Sequence, residues 1–255
     1  MNPRVRQFYE LVVGMTEKEL HARYKNTFFG FLWLIINPLL QMVVIGFIFP
    51  FFIKNTIEHY YFYLFAGLLL WNFFSLSLNK ATPSIVNERS LITKAAFPRS
   101  TIPLSIVISN FIHYLAALGL FLIPVTLILH PSLSSFGLFI ISIVFLVALT
   151  VGTTLLTSAL NVKYRDVSFF VQAGLMVWFY TTPIVYSLNQ IPSHYVWLWQ
   201  LNPLTSIVQL MQAAITGSVL PQTNMLVSNA IEIIIILIAG IYIFKKESIN
   251  FDDWL

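Results

Sequence analysis

Six apolar runs, each near the roughly 20 residues a helix needs to cross a bilayer, govern what this chain can fold into. They cover 28–53, 61–82, 102–129, 136–160, 167–185 and 225–244. Stretches such as GLFIISIVFLVALTVG do not alternate apolar with polar residues, as the strands of a membrane barrel do. Lipid offers no partner to an open backbone amide, so each run is expected as a helix. Only 9% of residues are charged and 58% are hydrophobic, whereas soluble domains carry roughly a quarter charged residues. The expected architecture is all-α and integral to the membrane. It has six transmembrane helices, an N-terminal cytoplasmic amphipathic interface helix, and an external re-entrant helical hairpin between spans five and six. A single transmembrane domain then fills residues 1–255, with the interface helix in 1–27, spans one to five in 28–185, the hairpin in 186–221, and span six with a cytoplasmic tail in 222–255.

Orientation follows from the basic residues, which collect on the cytoplasmic side. Arg4, Arg6, Lys18, Arg23 and Lys25 precede the first run. Lys80, Arg89, Lys94 and Arg99 lie between the second and third, Lys163 and Arg165 between the fourth and fifth, and Lys245 and Lys246 after the sixth. Six crossings put all of these on one face and leave only Lys54 on the other. Both termini are therefore expected in the cytoplasm. The polar opening of the chain has no apolar core ahead of a small-residue cleavage site, so no cleavable signal is expected.

Before the first run, Thr16-Glu17-Lys18-Glu19 fits a capping box, and Leu20 and Tyr24 share a helical face. A short amphipathic helix starting at Thr16 and lying along the inner surface is expected. The cytoplasmic stretch between the second and third runs holds PSIVNERSLITKAAFPRS. Residues 90–97 suit a short helix stopped by Pro98, with Leu91, Ala95 and Phe97 on its apolar side, either as a docking knob for another protein or as a solvated loop. Between the fifth and sixth runs, prolines 183, 192 and 203 break an external segment rich in Trp and Tyr. Its second half places Leu204, Ile207, Val208, Met211 and Ile215 at helical spacing. Broken apolar backbone at membrane depth is tolerated only inside protein or along a cavity. A re-entrant hairpin satisfies that condition; an interfacial loop with Trp197 and Trp199 in the headgroup belt is the competing reading.

Several chemistries are excluded. The chain has no cysteine, hence no disulfide, thiolate metal site or cysteine nucleophile. Its five histidines lack ligand spacing, and no metal site is expected. No phosphate-cradling G-x-x-x-x-G-K-[ST], no G-x-S-x-G and no H-E-x-x-H occurs, so no catalytic residues, cofactor or nucleic-acid partner are expected. Glu232 is the one acid well inside an apolar run; it is either functional or close enough to the external end to reach the interface. What remains is a membrane pathway without an engine of its own.

The stretch RYKNTFFGFLWLIINPLLQMVV, residues 23–44, resembles the opening of ABC-2 type permeases that export polysaccharides: Arg23, Tyr24 and Lys25, then Gly30 and Trp33, then Pro38 and Leu39. KYRDV at 163–167 and LNPLT at 201–205 extend the resemblance over nearly the whole chain, which is most similar to O-antigen, capsule and teichoic acid exporters. The resemblance implies a homodimer in the cytoplasmic (inner) membrane, each copy bound to a separate ATP-hydrolysing subunit, with a lipid-linked polysaccharide as cargo and the external hairpin as outer gate. ATP would be bound by the partner. The subunit contacts it implies centre on Glu19, Glu88, Arg89, Leu91, Lys94 and Phe97. The gate would hold Pro192, Trp197, Trp199, Asn202 and Pro203.

The resemblance also puts spans one and five along the pathway. Sugar faces stack on aromatic rings, which makes Phe28, Phe31, Trp33, Phe169, Phe170, Trp178, Phe179 and Tyr180 candidate glycan contacts; packing in lipid-facing grooves is the alternative. Arg23 and Lys25 sit where a lipid pyrophosphate would approach, or where anionic membrane lipids would hold them. The alternatives are an ABC-2 permease for small lipids or drugs, a membrane-embedded glycosyl or acyl transferase, and a secondary transporter.

Overall fold

The computed structural model describes residues 3–24, 30–52, 57–92, 97–132 and 135–254. Among them there are helices and turns and no β-strand. In chain order the helices are α1 (Pro3–Tyr24), α2 (Trp33–Phe52), α3 (Tyr60–Ala81), α4 (Ser84–Asn87), α5 (Arg89–Ile92), α6 (Thr101–Ile128), α7 (Ser135–Lys163), α8 (Val167–Thr181), α9 (Val196–Gln200), α10 (Pro203–Thr216), α11 (Thr223–Glu247) and α12 (Phe251–Trp254). Four of them (α3, α6, α7 and α11) are long and apolar enough to cross a membrane. The apolar part of α2 (Ile35–Phe49) and all of α8 are shorter. The chain is a multi-pass membrane protein.

A helix whose sides are mostly apolar is buried against its neighbours, and most of α3 is. It packs against α2, α6, α7 and α10, and Leu64, Leu68, Leu70 and Phe74 are fully buried. Phe65 meets Phe121 of α6 at 4.6 Å, and Phe74 meets Trp178 of α8 edge-on at 5.1 Å. The closest helix pair is α7 with α11. A Cβ on Gly240 would collide with the Gly152 carbonyl, and one on Gly152 would lie 2.7 Å from the Leu237 Cα. Small residues let helix backbones approach this way in membranes.

A second, smaller cluster ties the helix ends near the tail: Ile85, Ile92, Ile102, Leu155, Ala159, Val162, Phe244 and Phe251. Phe251 of α12 is fully buried and stands edge-on to Phe244 at 5.6 Å. The Arg99 guanidinium lies 6.0 Å from the Phe251 ring and donates to the Ser248 carbonyl. Lys163 Nζ lies 5.3 Å from the Trp254 ring. The tail is thus built into the fold.

One local expectation is corrected. Thr16 does not begin a helix: α1 starts at Pro3, and the Thr16 hydroxyl donates to the Val12 carbonyl 2.7 Å away, four residues back. The apolar residues Leu11, Val12 and Val13 carry the helix across the capping-box sequence, and a mid-helix threonine satisfies its hydroxyl on the preceding turn. α1 also packs on α6, with Val12 and Thr16 buried. Of the expected loop helix, residues 90–92 are helical within α5 (Arg89–Ile92), which follows α4; residues 93–96, including Lys94, lie outside the described residues.

Candidate translocation surface and coupling face

The segment after α8 shows how interrupted backbone is kept inside the protein. Residues 182–185 are buried and non-helical, with Ile184 fully enclosed. Their carbonyls need partners, since water is excluded. Tyr60 Oη donates to the Val185 carbonyl at 3.1 Å and Tyr63 Oη to the Tyr186 carbonyl at 3.0 Å. Gln212 Nε2 of α10 donates to Pro183 and Ile184 carbonyls at 3.3 and 3.4 Å. Two turns of 3-10 helix, Leu188–Gln190 and Ser193–Tyr195, then lead to α9.

Between α9 and α10, Asn202 is the organising residue. Its Oδ1 accepts from Leu204 N at 3.0 Å, capping α10, and from Trp178 Nε1 at 2.7 Å. Its Nδ2 donates to Thr182 Oγ1 at 2.9 Å and to the Thr181 carbonyl at 3.3 Å. Asparagine at the cap, proline at the first helical position and glycine after the end are the expected helix punctuation; Gly217 supplies the left-handed φ of 69°. At 14 residues, α10 is about 21 Å long, too short to span. It is buried against α3, α7 and α11. Ser142 donates to the Ile207 carbonyl at 2.8 Å, and Ser206 donates to Asn229 Oδ1 at 2.5 Å. Asn229 in turn donates to the Gln200 carbonyl at 2.6 Å and to Glu232 Oε2 at 3.1 Å, so Glu232 is drawn into a network that joins α11 to α9 and α10.

Of the expected gate residues, Asn202 and Pro203 are buried, whereas Pro192 and Trp197 are exposed. Trp199 donates to Tyr186 Oη at 2.7 Å.

The expected glycan aromatics are divided. Phe28 lies outside the described residues, and so does the side chain of Phe31. Trp33, 44% exposed, lines a cavity of about 610 Å³ between α2, α3 and α6. Phe179 and Tyr180 line a second cavity of about 430 Å³ between α2, α3 and α8. Trp178 is half-buried, with its N–H held by Asn202. Phe169 and Phe170 are exposed on the first turn of α8 and line neither cavity. Sequence reasoning missed the polar side of α3, where Asn72, Ser75 and Asn79 line both cavities. Their spacing inside an apolar run was the signal that would have found it.

Two of the coupling candidates, Glu19 and Glu88, line a third cavity, of about 350 Å³, with Met15, Lys18, Lys80 and Asn87. Lys18 Nζ lies 2.6 Å from Glu88 Oε1, and Lys80 Nζ lies 3.8 Å from Glu19 Oε2. Arg89 and Leu91 are exposed beside this group. Phe97 is half-buried and packs into the smaller apolar cluster. Lys25 and the side chain of Arg23 lie outside the described residues. No cluster of potential metal ligands occurs among the described residues.

Residues 10–216 match the ABC-2 type transporter family. An O-antigen export system permease protein RfbA of Klebsiella pneumoniae is 34% identical over 97% of this chain and 95% of its own length. The protein of the same name from Myxococcus xanthus is 31% identical over 98% of each chain. The polysialic acid transport protein KpsM of Escherichia coli is 21% identical over 90% of each. With a family match over most of its length and near-complete alignment to those permeases, the chain belongs to the ABC-2 type transporter family.

Proposed function

We propose that this chain is the membrane-spanning permease subunit of an ABC exporter that carries a lipid-linked, O-antigen-like polysaccharide across the cytoplasmic membrane. The observation that carries the reading is the 34% identity to an O-antigen export permease along 97% of the chain. Six crossings, made by α2, α3, α6, α7, α8 and α11, place both termini in the cytoplasm, in keeping with the basic residues. Two copies enclose the pathway, and each binds a separate ATP-hydrolysing subunit, because the chain contains no phosphate-cradling loop. That subunit docks on the face bearing Glu19, Glu88, Arg89 and Leu91. ATP closure moves this face as a rigid body, and α9 and α10 act as the outer gate. The buried α10 supports that role: it joins α3, α7 and α11, so a shift in any of them reaches the external mouth.

Mild-detergent purification of the tagged chain from its native membrane, followed by mass spectrometry, tests the proposal. Equal amounts of an ATP-binding subunit, together with a lipid-linked glycan, are expected. An ATP-binding subunit with only a small lipid would turn the reading to small-lipid export. Absence of any ATP-binding subunit would overturn it.

A further inference from the structure

The three cavities described above share walls along one helix. Asn79 lines all three, Lys80 lines the cavity at the coupling face and the largest one, and Asn72 and Ser75 line the largest and the one against α8. On α3 these positions fall at i, i+3 and i+7, one face of a helix. α2 adds Asn37 to the largest cavity and Gln41 to the one against α8, and α8 adds Gln172. Asn72 Nδ2 donates to Gln41 Oε1 at 3.1 Å, and Asn72 lines both the largest cavity and the one against α8.

Amides and hydroxyls are costly in an apolar span unless they find partners. A carboxamide has two donors and two acceptor sites, and the Gln41–Asn72 bond uses one of each. The Asn79 side chain is exposed and forms no hydrogen bond among the described residues. The Tyr114 hydroxyl, on the wall of the largest cavity, is fully buried and has no partner among the described residues. Spare donors and acceptors therefore face the cavities over successive turns of α3. The cavity against α8 is lined by no Asp, Glu, Lys, Arg or His, so nothing there is suited to gripping a fixed charge; in the largest cavity the amides share the wall with Lys80 and His113.

We infer that Asn37, Gln41, Asn72, Ser75, Asn79 and Gln172 form a neutral amide and hydroxyl seam that binds an uncharged, hydroxyl-rich glycan as it moves along α3. The inference rests on the permease reading and names the pathway surface within it. Many weak, uncharged sites let a polymer enter and leave, as conduction requires. The Gln41–Asn72 bridge opens when a sugar hydroxyl takes the place of one amide, so the passing chain replaces the lost bond with its own.

The test uses the full chain with its ATP-hydrolysing partner in lipid nanodiscs, and two probes of equal length: an octamer of mannose and an octamer of sialic acid. Binding is read by saturation-transfer NMR. The neutral probe is expected to bind at least about tenfold tighter. Q41L/N72L is expected to weaken it about tenfold and N79L about threefold, the scale of one or two net hydrogen bonds. N79L removes no bond within the protein, so its effect stands whether or not the double variant folds. Equal binding of the two octamers, or neutral binding unchanged in N79L, overturns the seam. Surface polysaccharide in cells separates the two levels. Wild-type export with equal export by N79L rejects the seam and leaves the permease; no export by the wild type rejects both.

Discussion

Lys18 Nζ and Glu88 Oε1 stand 2.6 Å apart across 70 positions of sequence, joining α1 to the turn between α4 and α5. This contact ties the N-terminal helix to the loop between α3 and α6. Lys18 is 59% exposed and Glu88 28%, so the pair contributes little to global stability, roughly 0.2–1 kcal/mol. Its role is geometric. K18E and E88K are each expected to lower ATP-driven export in proteoliposomes several-fold, while K18E/E88K recovers most of it. No recovery in the double variant would show that the contact does not transmit force.

Leu91 and Phe97 separate docking from packing. Leu91 is exposed, whereas Phe97 packs into the cluster that holds Phe251. L91D is expected to keep its thermal midpoint and lose coupling between ATP hydrolysis and export. F97D is expected to lower the midpoint by several degrees, because it places a charge against apolar neighbours. The comparison is made by a thermal scan beside an ATPase assay; equal midpoints for both variants would contradict it.

The α7–α11 crossing has no room for a methyl group. G240A is expected to cost about 3 kcal/mol or more, because backbone must move to admit it, and to sharply reduce folded yield. G174A, where a Cβ meets nothing within 4 Å, serves as the matched control and leaves yield unchanged. The readout is monodisperse protein on size exclusion.

Asn202 combines a helix cap with bonds to the side chains of Trp178 and Thr182 and to the Thr181 carbonyl. N202A is expected to cost about 2–3 kcal/mol, the sum of a lost cap and a stranded indole N–H. N202S, which keeps the cap and loses the reach to Trp178, falls between. A thermal series in detergent should rank wild type above N202S above N202A.

Phe251 is fully enclosed by α7 and α11 residues and the loop helices. F251A is expected to cost about 3–5 kcal/mol, as for other large-to-small changes in packed cores. A thermal midpoint equal to wild type would mean that the tail does not hold these helix ends.

Much of this protein was legible from composition and periodicity. Long apolar runs dictate helices because lipid cannot satisfy an open backbone, and prolines 183, 192 and 203 mark where helix must stop. Asn202-Pro203 and Gly217 announced the ends of α10, since cap chemistry is local. The residues that carry motif likeness, Gly30, Trp33 and Pro38, pointed to the permease family by pattern alone. Local rules failed where neighbours at long range decide. Thr16 had the spacing of a cap, but the apolar residues before it and the surface of α6 extended the helix past it.

Trp178 read as a ligand contact because its type suits one; the tertiary structure placed Asn202 within 2.7 Å of its N–H. Nothing local in the tail announced that Phe251 would be buried; it joins a cluster with Ile85, Ile92, Ile102 and Leu155, far away in sequence. Asn72, Ser75 and Asn79 gained meaning only when α2, α6 and α8 left cavities on that side of α3. The sequence by itself determined a bundle of membrane helices and where they break, because solvent and backbone chemistry act locally. Only the tertiary structure decided which polar groups are spent on one another and which face open space, because that depends on what distant segments bring against them.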